Sequence, residues 1–236
     1  MSEASPTTEL RELLDASASG SRGQRLEALH KLSGARGPFK DPRLAAGLSG
    51  LQPTDPEAVL RLELLARGHD PAARRAALGW ISALLGAPRP RAEELPSWRR
   101  ALVPAAKLIA EAEDPSADAA LLALASLGDS SVAGAALAAL DARPSFPAPQ
   151  HLLELAALLA ATFDLEAQTH VLSLLGRTRS PDAIPLVLES MERWAEANPG
   201  QGAAAHAAAL RALTGQALGD HPAAWRAWRD AQKSGH

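Results

Sequence analysis

Apolar residues recur at three- and four-residue spacing in short blocks along most of the chain, and polar turns separate the blocks. Two of the blocks nearly repeat. DPAARRAALGWISALLG begins at Asp70, and DPSADAALLALASLGDS begins at Asp114. Aligned at the aspartates, Pro71 meets Pro115, Ala73 meets Ala117, Ala76 meets Ala120 and Leu78 meets Leu122. This spacing collects apolar side chains on one face of a helix. The Asp-Pro opening has a mechanism: the Asp side chain accepts a bond from an orphaned N–H at the helix start. Proline suits the first helical position because its missing N–H is not needed there.

The same start recurs at Asp41-Pro42 and Asp55-Pro56, and as Ser5-Pro6 and Ser180-Pro181; before Pro222, either Asp220 or His221 is the cap. Gly68, Gly86, Gly128, Gly176 and Gly200 each follow an apolar run and read as left-handed stops. Starts and stops together predict thirteen helices, near 6–17, 22–33, 41–50, 55–67, 70–85, 97–112, 115–127, 130–141, 149–162, 164–176, 181–197, 202–214 and 221–233. The short connections predict antiparallel neighbours. The stretches 87–96, APRPRAEELP, and 142–149, ARPSFPAP, are longer than such turns. Two helices per 30–50 residues is the period of an α-solenoid. A compact bundle is the competing fold. A bundle does not require a recurring phrase, whereas an array must bury the same face at each step. The expected architecture is therefore all-α: residues 1–50 form N-terminal helices that either complete the array or cap it, and residues 51–236 form a repeat array closed by a helix over 221–233.

Composition agrees with helices. The apolar 47% of the chain is mostly Ala and Leu, and aromatics are 3%; Ala and Leu favour helix, whereas aromatic and β-branched residues favour strand. With no cysteine, disulfides, thiolate metal sites and Cys nucleophiles are excluded. The opening MSEASPTTEL has no basic region leading into an apolar stretch, so no secretory signal is read there. No apolar run reaches membrane-spanning length, and a cytoplasmic location is the expectation.

The net charge of −3 hides segregation. Residues 71–110 carry seven basic and two acidic groups, and residues 111–170 carry one basic and nine acidic. The basic block comprises Arg74, Arg75, Arg89, Arg91, Arg99, Arg100 and Lys107; the acidic block runs from Glu111 to Glu166. Bands of opposite sign can steer and orient a partner. They can equally balance one another inside the molecule.

A search for chemistry returns little. The seven histidines form no His-x-x-x-His pair, so metal ligation is not expected. No nucleophile elbow, phosphate loop or dinucleotide fingerprint occurs, and GARG at 34–37 reads as a turn. The carboxylates at Glu93 and Glu94, and at Glu111, Glu113 and Asp114, read as solvated surface and caps. No catalytic residue, cofactor or metal is assigned. Trp80 and Trp194 lie on apolar faces and read as core. Trp225 and Trp228, three apart on the last helix, share a face and read as the structural cap of the core. Trp98, beside Arg99 and Arg100, is balanced between core and surface.

RSPDAIPLVLESM (179–191) resembles the first helix of a bacterial HEAT repeat of the phycobilisome-lyase type, with Pro185 inside the helix as a kink. The Asp70 and Asp114 phrases resemble second helices of such repeats. LRALTGQALGDHPAAWRAWRDAQ (210–232) is similar to the closing segment of bacterial HEAT-repeat proteins, with its Leu-Thr-Gly, short turn and two-Trp helix. The resemblance runs from about residue 55 to the end. It implies a solenoid fold. The repeat fold, the lack of a catalytic constellation and the segregated charge together point to a non-enzymatic adaptor or scaffold for another protein, with Arg74, Arg75, Arg89, Arg91, Trp98, Arg99 and Arg100 as partner-binding candidates. HEAT-like DNA glycosylases share the architecture, but they are basic, and the negative charge here argues against nucleic acid. A bilin lyase activity is the third alternative; scarce aromatics give no support for a tetrapyrrole pocket.

Overall fold

A computed structural model of the 236-residue chain describes all residues except 1–5, 36–40, 69, 89, 145, 148, 162–163, 200–202 and 235–236. The described residues form thirteen α-helices, one short 3-10 turn and no strand. The helices are α1 (Pro6–Ser19), α2 (Arg22–Gly34), α3 (Pro42–Ala46), α4 (Pro56–Ala66), α5 (Pro71–Leu85), α6 (Leu95–Ala110), α7 (Ser116–Ala125), α8 (Ser130–Asp141), α9 (Leu152–Ala161), α10 (Leu165–Thr178), α11 (Ala183–Ala197), α12 (Ala204–Thr214) and α13 (Pro222–Ser234). The 3-10 turn, Pro149–His151, leads into α9.

The Asp-Pro starts act as caps. Asp41, Asp55 and Asp70 each accept a bond from the backbone N–H two residues on, at Arg43, Glu57 and Ala72. Asp114 does the same for Ser116, at 2.8 Å.

The stops divide differently. Gly128 takes the left-handed conformation, with φ 90°. Gly86 closes α5 with right-handed geometry instead. Gly200 lies outside the described residues. Gly176 is not a stop: α10 runs on to Thr178, and Arg179 takes the left-handed turn at φ 53°. Gly176 is glycine for packing. A Cβ there would come 3.2 Å from the Ala209 Cα and 3.3 Å from the Ala212 Cβ, so its absence lets α10 and α12 approach closely. Gly176→Val should therefore cost about 1–3 kcal/mol through overpacking, read as a lower urea midpoint. Gly79, in the middle of α5, has open space around it. Gly79→Ala should gain roughly 0.4–1 kcal/mol on the same measurement.

The prolines also differ from expectation. Because α11 begins at Ala183, Pro185 lies in the first turn, where no intrahelical donor is missing. The internal proline is Pro104 in α6, which deprives the Arg100 carbonyl of its helical donor. α3 is five residues rather than ten. A Cβ at Gly47 would fall 2.2 Å from the Arg61 Cζ, because the guanidinium lies against the end of that helix.

The chain divides into two compact units, residues 1–139 and 140–236, with the boundary near the end of α8. In the first unit α2 packs on α4 and α4 on α6, while α1 packs on α3, α3 on α5 and α5 on α7. Sequential contacts join α1 to α2, α3 to α4, α5 to α6 and α6 to α7. Leu29, Leu32, Leu44, Leu62, Ile81 and Ile109 fill its core. In the second unit α10 packs on α12, and α11 packs on both α9 and α13; α9 joins α10 and α11 joins α12. Val171, Leu174, Leu175, Val187, Met191 and Leu210 are fully buried there.

Candidate interaction surface

The basic block lies on α5, α6 and the loop between them, and the structure sorts its residues into two groups. Two arginines are committed to acids of the same unit, Arg74 partly buried and Arg99 exposed. Arg74, in the first turn of α5, donates to the Glu111 carboxylate and, at 3.2 Å, to the Glu111 carbonyl. Arg99 on α6 grips Asp129 with two nitrogens, Nε at 3.2 Å and Nη2 at 2.8 Å. Asp129 at the same time caps α8, accepting from the Ser131 and Val132 N–H groups at 3.0 Å. Burial by itself would raise the Asp129 pKa; the Arg99 and backbone hydrogen bonds outweigh it and hold the carboxyl below its usual range. At these two points, basic block and acidic block neutralise one another within the first unit.

Among the described residues, four further cations of the block are exposed. Arg75, Arg100 and Lys107 are exposed. Arg91 is also exposed, 3.8 Å from Glu93. The Arg91 N–H donates to the Glu94 side chain, which shapes the turn into α6. Arg89 lies outside the described residues.

Trp98 is half-buried. It lines an apolar slot of about 80 Å³ with Ile81, Leu84, Leu102, Leu124 and Leu127, and Pro90 lies at its edge. Arg100, two residues further along α6, lines a different hollow: a groove of about 820 Å³ shared with His30, Val59, Glu63 and Pro96. Residues two apart on a helix do not share a face. The candidate residues that are adjacent in sequence thus serve two hollows and one internal ion pair.

The closing tryptophans belong to the second unit. Trp225 is fully buried and donates from Nε1 to the Gly219 carbonyl at 2.8 Å. Trp228 meets it edge to face at 6.2 Å. Arg226 reaches Glu192 at 2.7 Å and ties α13 to α11. Trp80 is core, donating to the Leu51 carbonyl at 2.9 Å.

Among the polar clusters that went unread in the sequence, two are buried. In the first unit, Glu57 accepts from both Arg25 and Arg61, and Arg61 is 1% exposed. In the second, the Ser190 Oγ and His206 Nε2 lie 3.1 Å apart, both residues buried. The first left a trace: Glu57 and Arg61 are four apart on the same face of α4 as Ala58, Leu62 and Leu65, a charged pair written into an apolar stripe.

No family model, curated protein or solved structure matches the chain. Among the described residues no group of three or more His, Asp and Glu side chains is placed to hold a metal ion, and no helix is long and apolar enough to cross a membrane.

Proposed function

We propose that the chain is a non-enzymatic adaptor, a HEAT-like stack of antiparallel helix pairs that binds another protein through α5 and α6. The repeat reading draws support from alternate helices packing on one another in each unit, as a solenoid requires. It also draws on the capped Asp-Pro starts. The observation that carries the binding surface is the split within the basic block. Arg74 and Arg99 are committed to Glu111 and Asp129. Arg75, Arg100 and Lys107 project outward from the helix pair whose α6 also presents Trp98 to an apolar slot. Arginine and tryptophan are the residue types that most often anchor interfaces, and an acidic partner surface fits the exposed cations.

Crosslinking mass spectrometry on the full-length protein in lysate of its source tests the proposal. Arg75→Glu combined with Arg100→Glu should abolish crosslinks to the partner and leave the thermal midpoint unchanged. Arg74→Glu combined with Arg99→Glu should instead lower stability by about 1–3 kcal/mol, because it leaves the buried Asp129 unpaired. Retention of the partner by the first variant would reject this surface.

A further inference from the structure

A half-open cleft of about 450 Å³ lies in the second unit among α9, α10 and α11. Its size is ordinary for a small-molecule site. The walls are Leu159, Ala160, Leu165, Ala197 and the Trp194 ring, and the polar lining is Gln168, Ser190, Arg193 and Asn198. Leu165 stands on the rim with 58% of its surface exposed.

The polar lining is one-sided. Among the described residues that line the cleft, Arg193 is the one charged group and none is a carboxylate. The acids nearest Arg193 along α11 are Glu189, Glu192 and Glu196. Glu192 pairs with Arg226, and Glu189 and Glu196 are exposed outside the cleft. The Trp194 Nε1–H is covered and has no acceptor among the described residues. An orphaned buried donor costs about 1–3 kcal/mol, and natural structures seldom leave one unmet. Ser190, in that lining, meets the neutral His206, whose ring lies 6.2 Å from that of Trp194. An apolar chamber with a cation, and no acid among its described lining residues, is matched by a molecule with an apolar body and one anionic oxygen group.

We propose that this cleft binds a small amphipathic carboxylate, its apolar part against Leu159, Leu165 and Trp194 and its carboxylate on Arg193. Arg193 matches a carboxylate because its planar guanidinium presents two parallel donors. The site is independent of the α5–α6 surface, and either can fail alone.

The test is a titration of the ¹⁵N-labelled full-length protein with octanoate and with 1-octanol, following the Trp194 indole resonance assigned through Trp194→Phe. Octanoate should shift that resonance saturably. Arg193→Gln should weaken octanoate about tenfold or more, leave octanol within about twofold, and leave the circular dichroism melt unchanged; Arg193→Lys should restore part of the loss. A shift that does not saturate, or an octanoate affinity unaffected by Arg193→Gln, overturns the proposal. Acetyl-Leu-Leu with a free carboxylate separates the two sources of this chemistry. Octanoate should bind more tightly; tighter binding of the peptide would reassign the cleft to a chain terminus.

Discussion

Glu57→Ala should cost about 3–5 kcal/mol of folding stability, the largest effect expected of any single polar substitution in the chain. Glu57 is 2% exposed and Arg61 1%. The carboxylate accepts from Arg25 Nε and Nη2, both at 3.0 Å, and from Arg61 Nε and Nη2 at 3.1 and 2.9 Å. The Arg61 guanidinium also donates to the carbonyls of Ser17, Arg43 and Leu44, and Arg25 donates to the carbonyl of Gly20. One ion cluster thus ties the end of α1 and the start of α2 to α3 and α4. Burial pushes the Glu57 carboxyl upward in pKa, but the bonds from Arg25 and Arg61 outweigh it, and the net displacement is downward. A depressed carboxyl adds stability above its unfolded pKa and loses it as pH falls through the folded value.

Removing Glu57 strands a buried guanidinium that only backbone carbonyls then contact. Removing the whole cluster is a different experiment. Glu57→Met with Arg61→Leu and Arg25→Leu should be far milder than Glu57→Ala alone, because two desolvated charges vanish along with their attraction. Urea unfolding of both variants checks the pair of expectations. A loss below about 1 kcal/mol in Glu57→Ala would mean that water reaches the cluster. Gly47 belongs to the same device: any side chain there meets the Arg61 guanidinium.

Acidification from pH 7 to pH 4 should remove about 3 kcal/mol through His206 alone. Desolvation is the main cause and the positive charge of Arg193 the lesser one; together they lower the His206 pKa from 6.5 to about 4. The folded state therefore holds the imidazole neutral in a window where the unfolded chain binds a proton. Stability is complete above about pH 6.5 and declines as pH falls toward 4. The carboxylate contribution begins lower, so the interval from about pH 4.5 to 6.5 reports on histidine. His206→Gln keeps a hydrogen-bonding group opposite Ser190 and removes the titration. Its urea midpoint should be nearly flat across that interval, where the parent chain slopes. An equal slope in both proteins would assign the titration to another group.

All thirteen helices were legible in the sequence. The reason is local: capping by Asp, proline at the first position and the 3.6-residue apolar period act within one turn or along one helix. What the sequence did not show is what each glycine meets. The Arg61 guanidinium, from the next helix, lies against Gly47 just past the end of α3. Gly176 lies inside α10, where α12 takes the room a side chain would fill. The charge blocks were legible, and their internal partners were not. A net excess along the chain says nothing about which arginine meets which acid, so Arg99 and Arg100 read alike until Asp129 separates them.

The sequence by itself determined the helices, the core faces and the segregation of charge, because each depends on neighbours within a turn or two. Tertiary structure alone decided that Glu57 and Arg61 share a buried cluster with Arg25, that Ser190 meets His206, and that Arg193 and Trp194 line one cleft. The first two join different helices across the packing, and the cleft exists only where α9 and α10 meet α11. Their cost or benefit depends on burial, which no local pattern of residues encodes.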